Sequence, residues 1–265
     1  MIMRKKDNQL ELMRVAGHIV SDGLDLMESL VRPGVTTQEL NDACEALIRE
    51  RGAFPIFLGY HGFPAAICAS VNEEIVHGIP DGRRLKEGDI VSLDIGAKIN
   101  GFIGDAAKTF AVGRVDEPNR LLIAHCREAL EVAIRTMGPG VRLSEVSAAI
   151  EAYARPLGYG IVREYTGHGV GRELHEDPQV PNYYDPRTFG RDVVLRPGHV
   201  LAIEPMLNLG THMTERVKRR GWDVVVTLDG KRSAHFEHTV AVLEDGVEVF
   251  TRREAPKPLP AALVV

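Results

Sequence analysis

The feature that most constrains the fold of this chain is an internal repeat. Residues 31–46, VRPGVTTQELNDACEA, align without a gap with residues 137–152, MGPGVRLSEVSAAIEA. Residues 85–96, LKEGDIVSLDIG, align in the same way with residues 195–206, LRPGHVLAIEPM. Chance readily produces one such match but not two long matches in the same order, so we infer that the chain consists of two related halves.

The two halves have the same predicted order of elements. Apolar residues at helical spacing predict a pair of helices at the start of each half, with Thr37 as the N-cap of the second helix. Short β-rich runs follow, and Asn100-Gly101 is typical of a hairpin turn. We therefore expect an α+β fold, in which two αα-β halves at residues 8–112 and 117–251 are related by a pseudo-two-fold axis around a central antiparallel sheet.

Composition excludes several classes of protein. A chain of 265 residues with 44% hydrophobic and 26% charged residues can bury a large core, and no apolar run approaches the length of a membrane span. The net charge of -5 does not favour binding to nucleic acid, and we interpret the basic tract at residues 216–220 as a solvated hairpin turn. Three cysteines without a CxxC pair, and an N-terminus without a secretory h-region, indicate a cytoplasmic protein with no membrane partner.

The repeat places carboxylates at equivalent positions of the two halves. The second pair of aligned segments puts Asp94 opposite Glu204. The strands that follow put Asp105 opposite Glu237, beyond an insertion in the second half. A two-fold axis brings equivalent inner strands side by side, so these carboxylates should converge. Each alone would be interpreted as a solvated residue or a cap, but four converging like charges require cations and therefore predict a metal centre.

One histidine is a candidate for a fifth ligand. His168 lies between two glycines, which leave its imidazole room to approach an ion, although an isolated Gly-His-Gly more often only forms a tight turn. Carboxylates and an imidazole without a thiolate suit two divalent metal ions, Mn, Fe(II), Co or Zn, and a hydrolytic reaction without a covalent intermediate. His175 lies too far along the chain to share this loop position, so we expect it to face the substrate.

Four segments together resemble the type I methionine aminopeptidases of peptidase family M24, which have the pita-bread fold. They are GYHGFPAAICASVNEEIVHGIPDGRRLKEGDIVSLDIGAKINGFIGDAAKTF, YTGHGVGRELHEDPQVPNYY, VLAIEPM and HFEHTVAV, in the order in which the family has them. The resemblance implies an enzyme that removes the initiator methionine from nascent proteins and peptides when the second residue is small. It also implies that hydroxide at a dinuclear metal centre attacks the scissile peptide bond.

The resemblance further implies roles for individual residues. The implied metal ligands are Asp94, Asp105, His168, Glu204 and Glu237. Glu204 would accept the proton of the nucleophile, His175 would stabilise the oxyanion, and His77 would assist at the scissile nitrogen. The implied methionine pocket consists of Tyr60, His61, Phe63, Cys68 and Trp222. The resemblance does not determine the shape of this pocket, because four residues depart from the commonest family pattern, namely Phe57, Phe63, Val76 and Leu174.

Two alternatives to this function stay open. An X-Pro aminopeptidase or prolidase could share the ligands, although we find no counterpart of its extra domain. A non-enzymatic binding module could keep the fold, although such modules usually lose ligands. We expect one catalytic domain over residues 1–265 with a Pro-rich tail at residues 254–265. Its expected partners are N-termini of nascent chains near the ribosome exit, its expected state is a monomer, and no stable nucleic-acid binding is expected.

Overall fold

The computed structural model describes residues 2–189 and 192–252, so the tail expected at residues 254–265 lies outside the described residues. The elements of the first half are α1 (Asp7–Leu30), α2 (Thr37–Glu50), β1 (Phe54–Pro55), β2 (Ile67–Val71), β3 (Glu74–Val76), β4 (Ile90–Ile99) and β5 (Phe102–Ala111). Those of the second half are α3 (Glu117–Thr136), α4 (Leu143–Ala154), β6 (Gly160–Ile161), β7 (Gly167–Gly169), β8 (Glu176–Val180), α5 (Pro186–Phe189), β9 (Val200–Ile203), β10 (Met206–Asn208), β11 (Thr214–Arg219), β12 (Trp222–Thr227), β13 (Ser233–His235), β14 (His238–Leu243) and β15 (Gly246–Val249).

Helix α2 begins at a capping box. Thr36 is its N-cap, because the Thr36 hydroxyl accepts a hydrogen bond from the Glu39 N–H and the Glu39 carboxylate accepts one from the Thr36 N–H. The prediction of Thr37 as the cap was wrong by one residue. Thr37 is already helical, and its hydroxyl donates instead to the carbonyl oxygen of Asp81 at 3.1 Å.

The aligned segments make the same contacts in both halves. The Gly34 N–H donates to the Leu85 carbonyl oxygen at 2.8 Å, and the equivalent Gly140 N–H donates to that of Leu195 at 2.9 Å. Both glycines have a positive φ, 94° and 91°, which side chains other than glycine rarely adopt. The repeat in the sequence is therefore also a repeat in three dimensions.

The strands form two half-sheets that meet along one seam. β4 and β5 form a hairpin with Asn100-Gly101 at its turn, as predicted, and β4 also pairs with β1 and β2. In the second half the strand order is β15-β14-β9-β7-β8. The seam lies between β5 and β14, where Ala107 and Glu237 exchange both backbone hydrogen bonds, at 2.9 and 3.4 Å. The predicted α+β fold, with two related halves around a central antiparallel sheet, is confirmed.

The insertion in the second half is a hairpin. β11 and β12 pair antiparallel around a turn at Arg220-Gly221, and β12 also pairs with β3 of the first half. The four basic residues at 216–220 are exposed, as expected of a solvated segment, but three of them lie in β11 and only Arg220 lies in the turn. The hairpin therefore extends from the second half across to the first.

Each half has its own apolar core between its helices and its sheet. Met27 of α1 and Leu93 of β4 belong to the first core, and Leu130 of α3 belongs to the second, together with residues of β9 and β14. α1 lies directly on β5, since a Cβ added at Gly104 would be 2.6 Å from the backbone nitrogen of Gly17. Within the described ranges, no helix is both long enough and apolar enough to cross a membrane.

Candidate metal centre

A cavity of about 380 Å³ lies at the seam between the two half-sheets. Every residue predicted for the site lines it, namely Tyr60, His61, Phe63, Cys68, His77, Asp94, Asp105, His168, His175, Glu204, Trp222 and Glu237. Three of the positions that depart from the family pattern, Phe57, Val76 and Leu174, line it as well. The structure therefore brings together residues that are far apart in the sequence.

The four carboxylates come from corresponding places in the two halves. Asp94 lies in β4 and Asp105 in β5 of the first half. In the second half, Glu204 directly follows β9 and Glu237 directly precedes β14. Because β5 lies next to β14, Asp94 and Glu204 lie on the two outer sides of the inner pair, Asp105 and Glu237. This is the convergence that the repeat predicts.

His168 joins the carboxylates from the neighbouring strand β7. Ligand atoms of Asp105, His168 and Glu237 all lie within 4.8 Å of one another. The His168 Nε2 atom is 3.5 Å from Glu204 Oε1 and 3.9 Å from Asp105 Oδ2. Its Nδ1–H donates to the Gly169 carbonyl oxygen at 2.9 Å, so the lone pair is on Nε2 and faces the carboxylates.

The electrostatics of the cluster fit bound cations. Burial raises the pKa of Asp94 to about 7, and burial together with neighbouring carboxylates raises the pKa values of Asp105 and Glu237 well above their ordinary range. The buried atoms Asp94 Oδ1, Asp105 Oδ1 and Glu237 Oε1 have no hydrogen-bond partner. Burial also lowers the pKa of His168 to about 3, which keeps its imidazole neutral. Unpaired carboxylate oxygens beside a neutral imidazole are a donor set that divalent metal ions satisfy.

Two further histidines border the cluster. The rings of His175 and His168 are 4.3 Å apart between centroids, and His175 Nδ1 is 2.7 Å from the hydroxyl oxygen of Tyr60. His77 follows β3 with a positive φ of 64°, which a non-glycine residue rarely adopts, and its ring meets the edge of Tyr165 at 5.6 Å. Burial lowers the pKa of His175, and it lowers that of His77 to about 4, so both are neutral near pH 7.

Apolar side chains form another part of the cavity wall. Phe63 and Cys68 are buried, and the Phe63 ring meets the ring of Trp222 edge-on at 5.2 Å. Trp222 comes from the start of β12 in the inserted hairpin. His61 is exposed, next to the ring of Tyr60 at 4.4 Å. The cavity therefore offers an apolar pocket beside a strongly polar cluster.

Sequence reasoning missed three residues of the cavity wall, Tyr165, Thr166 and His235. His235 is 2% exposed, and its Nε2 lies 3.6 Å from Glu204 Oε2 and 4.0 Å from Glu237 Oε2. Its signal was its place two residues before Glu237, since residues two apart in extended chain point to the same side. Tyr165 and Thr166 directly precede Gly167-His168 and could have been found by that proximity.

The fold and the site define a metallopeptidase. The chain belongs to metallopeptidase family M24, whose model matches residues 11–244. Methionine aminopeptidase 1 of Bacillus subtilis (strain 168) is 47% identical over 252 residues, which cover 95% of this chain and 100% of that protein.

Solved structures show the same relationship. The crystal structure of methionine aminopeptidase from Thermotoga maritima is 45% identical, with a TM-score of 0.91 over 96% of this chain and 100% of that one. Prolidase from Pyrococcus furiosus is 23% identical, with a TM-score of 0.75 over 95% of this chain and 66% of that one. The prolidase shares the fold, and it has additional chain that this protein does not match.

Proposed function

We propose that the protein is an aminopeptidase that removes N-terminal methionine from polypeptides when the second residue is small. The observation that carries this proposal is the cavity itself, in which an apolar pocket adjoins a cluster of buried carboxylates and histidines. Relatives of closely similar length with the name methionine aminopeptidase support it. A pocket beside a hydrolytic centre binds one side chain and thereby selects one terminal residue.

Asp94, Asp105, His168, Glu204 and Glu237 would hold two divalent metal ions, which could be Mn, Fe(II), Co or Zn. When bound, such ions supply Lewis acidity that polarises the scissile carbonyl group and lowers the pKa of water. The unpaired oxygens of Asp94, Asp105 and Glu237 support this assignment. The chain contributes a rigid set of ligands, because three of the five lie in strands and two lie directly at strand ends.

Three residues would handle protons and developing charge. Burial raises the pKa of Glu204 well above its ordinary value, which suits a carboxylate that accepts the proton of the attacking nucleophile. If the Tyr60 hydroxyl donates to Nδ1 of a neutral His175, the proton of that imidazole is on Nε2, where it can donate to the oxyanion. His77 would assist at the scissile nitrogen.

The apolar pocket would hold the methionine side chain. The pocket is an apolar slot that accommodates an unbranched thioether side chain. It is lined by Phe63, Cys68, Trp222 and Tyr60, with His61 at the exposed rim. Phe57 and Leu174 add apolar surface at positions where the family commonly has Cys and Phe. They would therefore alter the response to pocket-binding inhibitors more than the reaction itself.

In the cell, the substrates would be the N-termini of nascent polypeptides at the ribosome exit, and the enzyme would act in the cytoplasm as a monomer. The relatives whose whole length this chain matches support a single catalytic domain. Analytical ultracentrifugation tests whether the protein is a monomer. Co-sedimentation with translating ribosomes tests whether it acts at the ribosome exit.

The activity is tested with the peptides Met-Ala-Ser and Met-Leu-Ser. Purified protein reconstituted with Mn, Fe(II) or Co should release free methionine from Met-Ala-Ser only, and a chelator should abolish the release. The Asp105→Asn variant is the matched control, because it removes a ligand with little change in volume. Absence of release while metal is bound would overturn the proposal, and cleavage of Leu-Pro instead would assign a proline-specific peptidase.

A further inference from the structure

The imidazole of His235 has no role in the function proposed above, although it lies in the centre of the site. It is 2% exposed, it lines the cavity, and its Nε2 atom is buried without a hydrogen-bond partner. A buried polar atom of this kind is costly unless something binds to it. What could bind here is defined by the neighbouring atoms of Glu204 and Glu237.

Glu204 lies between two imidazoles. Its Oε1 atom is 3.5 Å from His168 Nε2, and its Oε2 atom is 3.6 Å from His235 Nε2. Both distances exceed the roughly 2.7–3.2 Å of an N–H···O hydrogen bond. They match the separation of two ligands of one ion, since atoms at about 2.1 Å from a metal and about 90–120° apart lie roughly 3.0–3.6 Å from each other. His235 Nε2 therefore has the same spatial relation to Oε2 of Glu204 that His168 Nε2 has to Oε1.

The backbone of His235 is fixed from both sides. Thr109 Oγ1 accepts a hydrogen bond from the His235 N–H at 2.9 Å and donates one to the His235 carbonyl oxygen at 2.8 Å. On its other edge, His235 is the ladder partner of Met206 in β10. An imidazole held in this way can offer its nitrogen to an ion without reorganising the strand.

We propose that His235 is a second imidazole ligand of the metal centre, beside Glu204. The proposal rests on the proposed function, because it requires that the carboxylate cluster binds metal. A second neutral nitrogen ligand lowers the share of oxygen among the ligands. It therefore shifts the relative metal affinity of the site from Mn towards Co and Zn.

The experiment compares the wild type with His235→Gln and His238→Gln, each loaded with Co(II). Glutamine can still donate a hydrogen bond to Glu204, but it removes the imidazole nitrogen. His238 is the control, because it is the neighbouring histidine on the same segment and binds the Thr251 hydroxyl at 2.8 Å instead of lining the cavity. The readout is the number of hyperfine-shifted imidazole N–H signals in the proton NMR spectrum, together with the affinity for Co(II) from calorimetry.

We expect two shifted imidazole signals in the wild type and in His238→Gln, and one in His235→Gln, with an affinity about tenfold or more lower. An unchanged number of signals in His235→Gln would overturn the proposal even if the affinity falls, since a hydrogen-bonding role would lower affinity without changing the signals.

A second measurement does not depend on how the variant folds. In wild-type protein labelled with 15N-histidine, Zn(II) should shift two imidazole Nε2 resonances to the metal-coordinated range, and a shift of one alone would overturn the proposal. Wild-type protein that binds no metal at all would instead overturn the metal centre, and thus the proposed function as well.

Discussion

Thr239 joins the two half-sheets through the backbone of Asp105. Its Oγ1 atom accepts a hydrogen bond from the Asp105 N–H at 3.0 Å and donates one to the Asp105 carbonyl oxygen at 2.8 Å. The Thr239 side chain is fully buried, so it takes the place of a main-chain partner at the seam. Thr109 makes the same pair of bonds to His235 further along the seam.

The Thr239→Val variant should lower the free energy of unfolding of the metal-free protein by about 1–3 kcal/mol. Valine has nearly the same shape but leaves a backbone N–H and a carbonyl of Asp105 buried without partners. Urea denaturation measures the loss. Thr239→Ser, which keeps the hydroxyl, should recover most of the stability, and equal stability of the valine variant and the wild type would contradict a role for these bonds.

The Tyr60→Phe variant should lower kcat about tenfold while the metal content stays unchanged. The substitution removes the hydroxyl at 2.7 Å from His175 Nδ1, so the imidazole loses the partner that fixes its orientation and its tautomer. Steady-state kinetics and metal analysis of the same sample check this. An effect on KM alone would instead indicate that Tyr60 only lines the methionine pocket.

The variants His175→Ala and His77→Ala should each lower kcat/KM, by roughly 100-fold or more for His175, without loss of metal. His175 would stabilise charge that develops at the carbonyl oxygen, and a donor of this kind acts mainly in the transition state. Metal analysis distinguishes a histidine that acts on the substrate from one that binds metal, because loss of metal from either variant would show that the substituted histidine is a ligand. His125→Ala, in α3, serves as the control.

The Asp94→Asn variant should change how stability depends on pH in the metal-free protein. The pKa of Asp94 is raised from 3.8 to about 7 in the folded chain, so the folded state binds a proton more tightly than the unfolded state. Ionisation of Asp94 is therefore neutral for stability below pH 3.8 and increasingly unfavourable from there to about pH 7. The stability of the variant relative to the wild type should rise over this window.

Urea denaturation in the presence of a chelator, at several pH values, measures this difference. The comparison cancels the contributions of His77 and His168, because their lowered pKa values act in the opposite direction in both proteins. Asp245→Asn, at an exposed position, should show no such trend. Saturation with metal should reverse the sign, since the variant then lacks a ligand. A relative stability that stays constant with pH would contradict the raised pKa.

The sequence predicted the positions of the four carboxylates because the repeat supplied a rule of position. Asp94 and Glu204 align without a gap, and β4 and β9, which position them, are the neighbours of the two seam strands β5 and β14. Asp105 and Glu237 followed from the next strand of each half. These predictions depended only on the alternation of side chains along strands and on the symmetry that the repeat implies, both of which can be read from the sequence.

The repeat does not predict the parts of the site at which the symmetry is broken. The inserted hairpin belongs to the second half but pairs with β3 of the first, and this crossing brings Trp222 to the cavity. The symmetry itself has no counterpart for such a strand, so only the family resemblance indicated Trp222. The repeat does not indicate His235 either, because it predicts only carboxylates at equivalent positions of the two halves.

The seam divides the cluster unequally, with Asp94 and Asp105 on one side and His168, Glu204 and Glu237 on the other. Neither half alone holds the set, so the proposed metal ions would bind well only when the halves are docked. By linkage, a ligand that binds the docked form alone stabilises it by RT ln(1 + [L]/Kd). On the proposed metal assignment, the supply of divalent metal would act on the abundance of the assembled chain as well as on its turnover, and metal depletion should expose the seam to proteases.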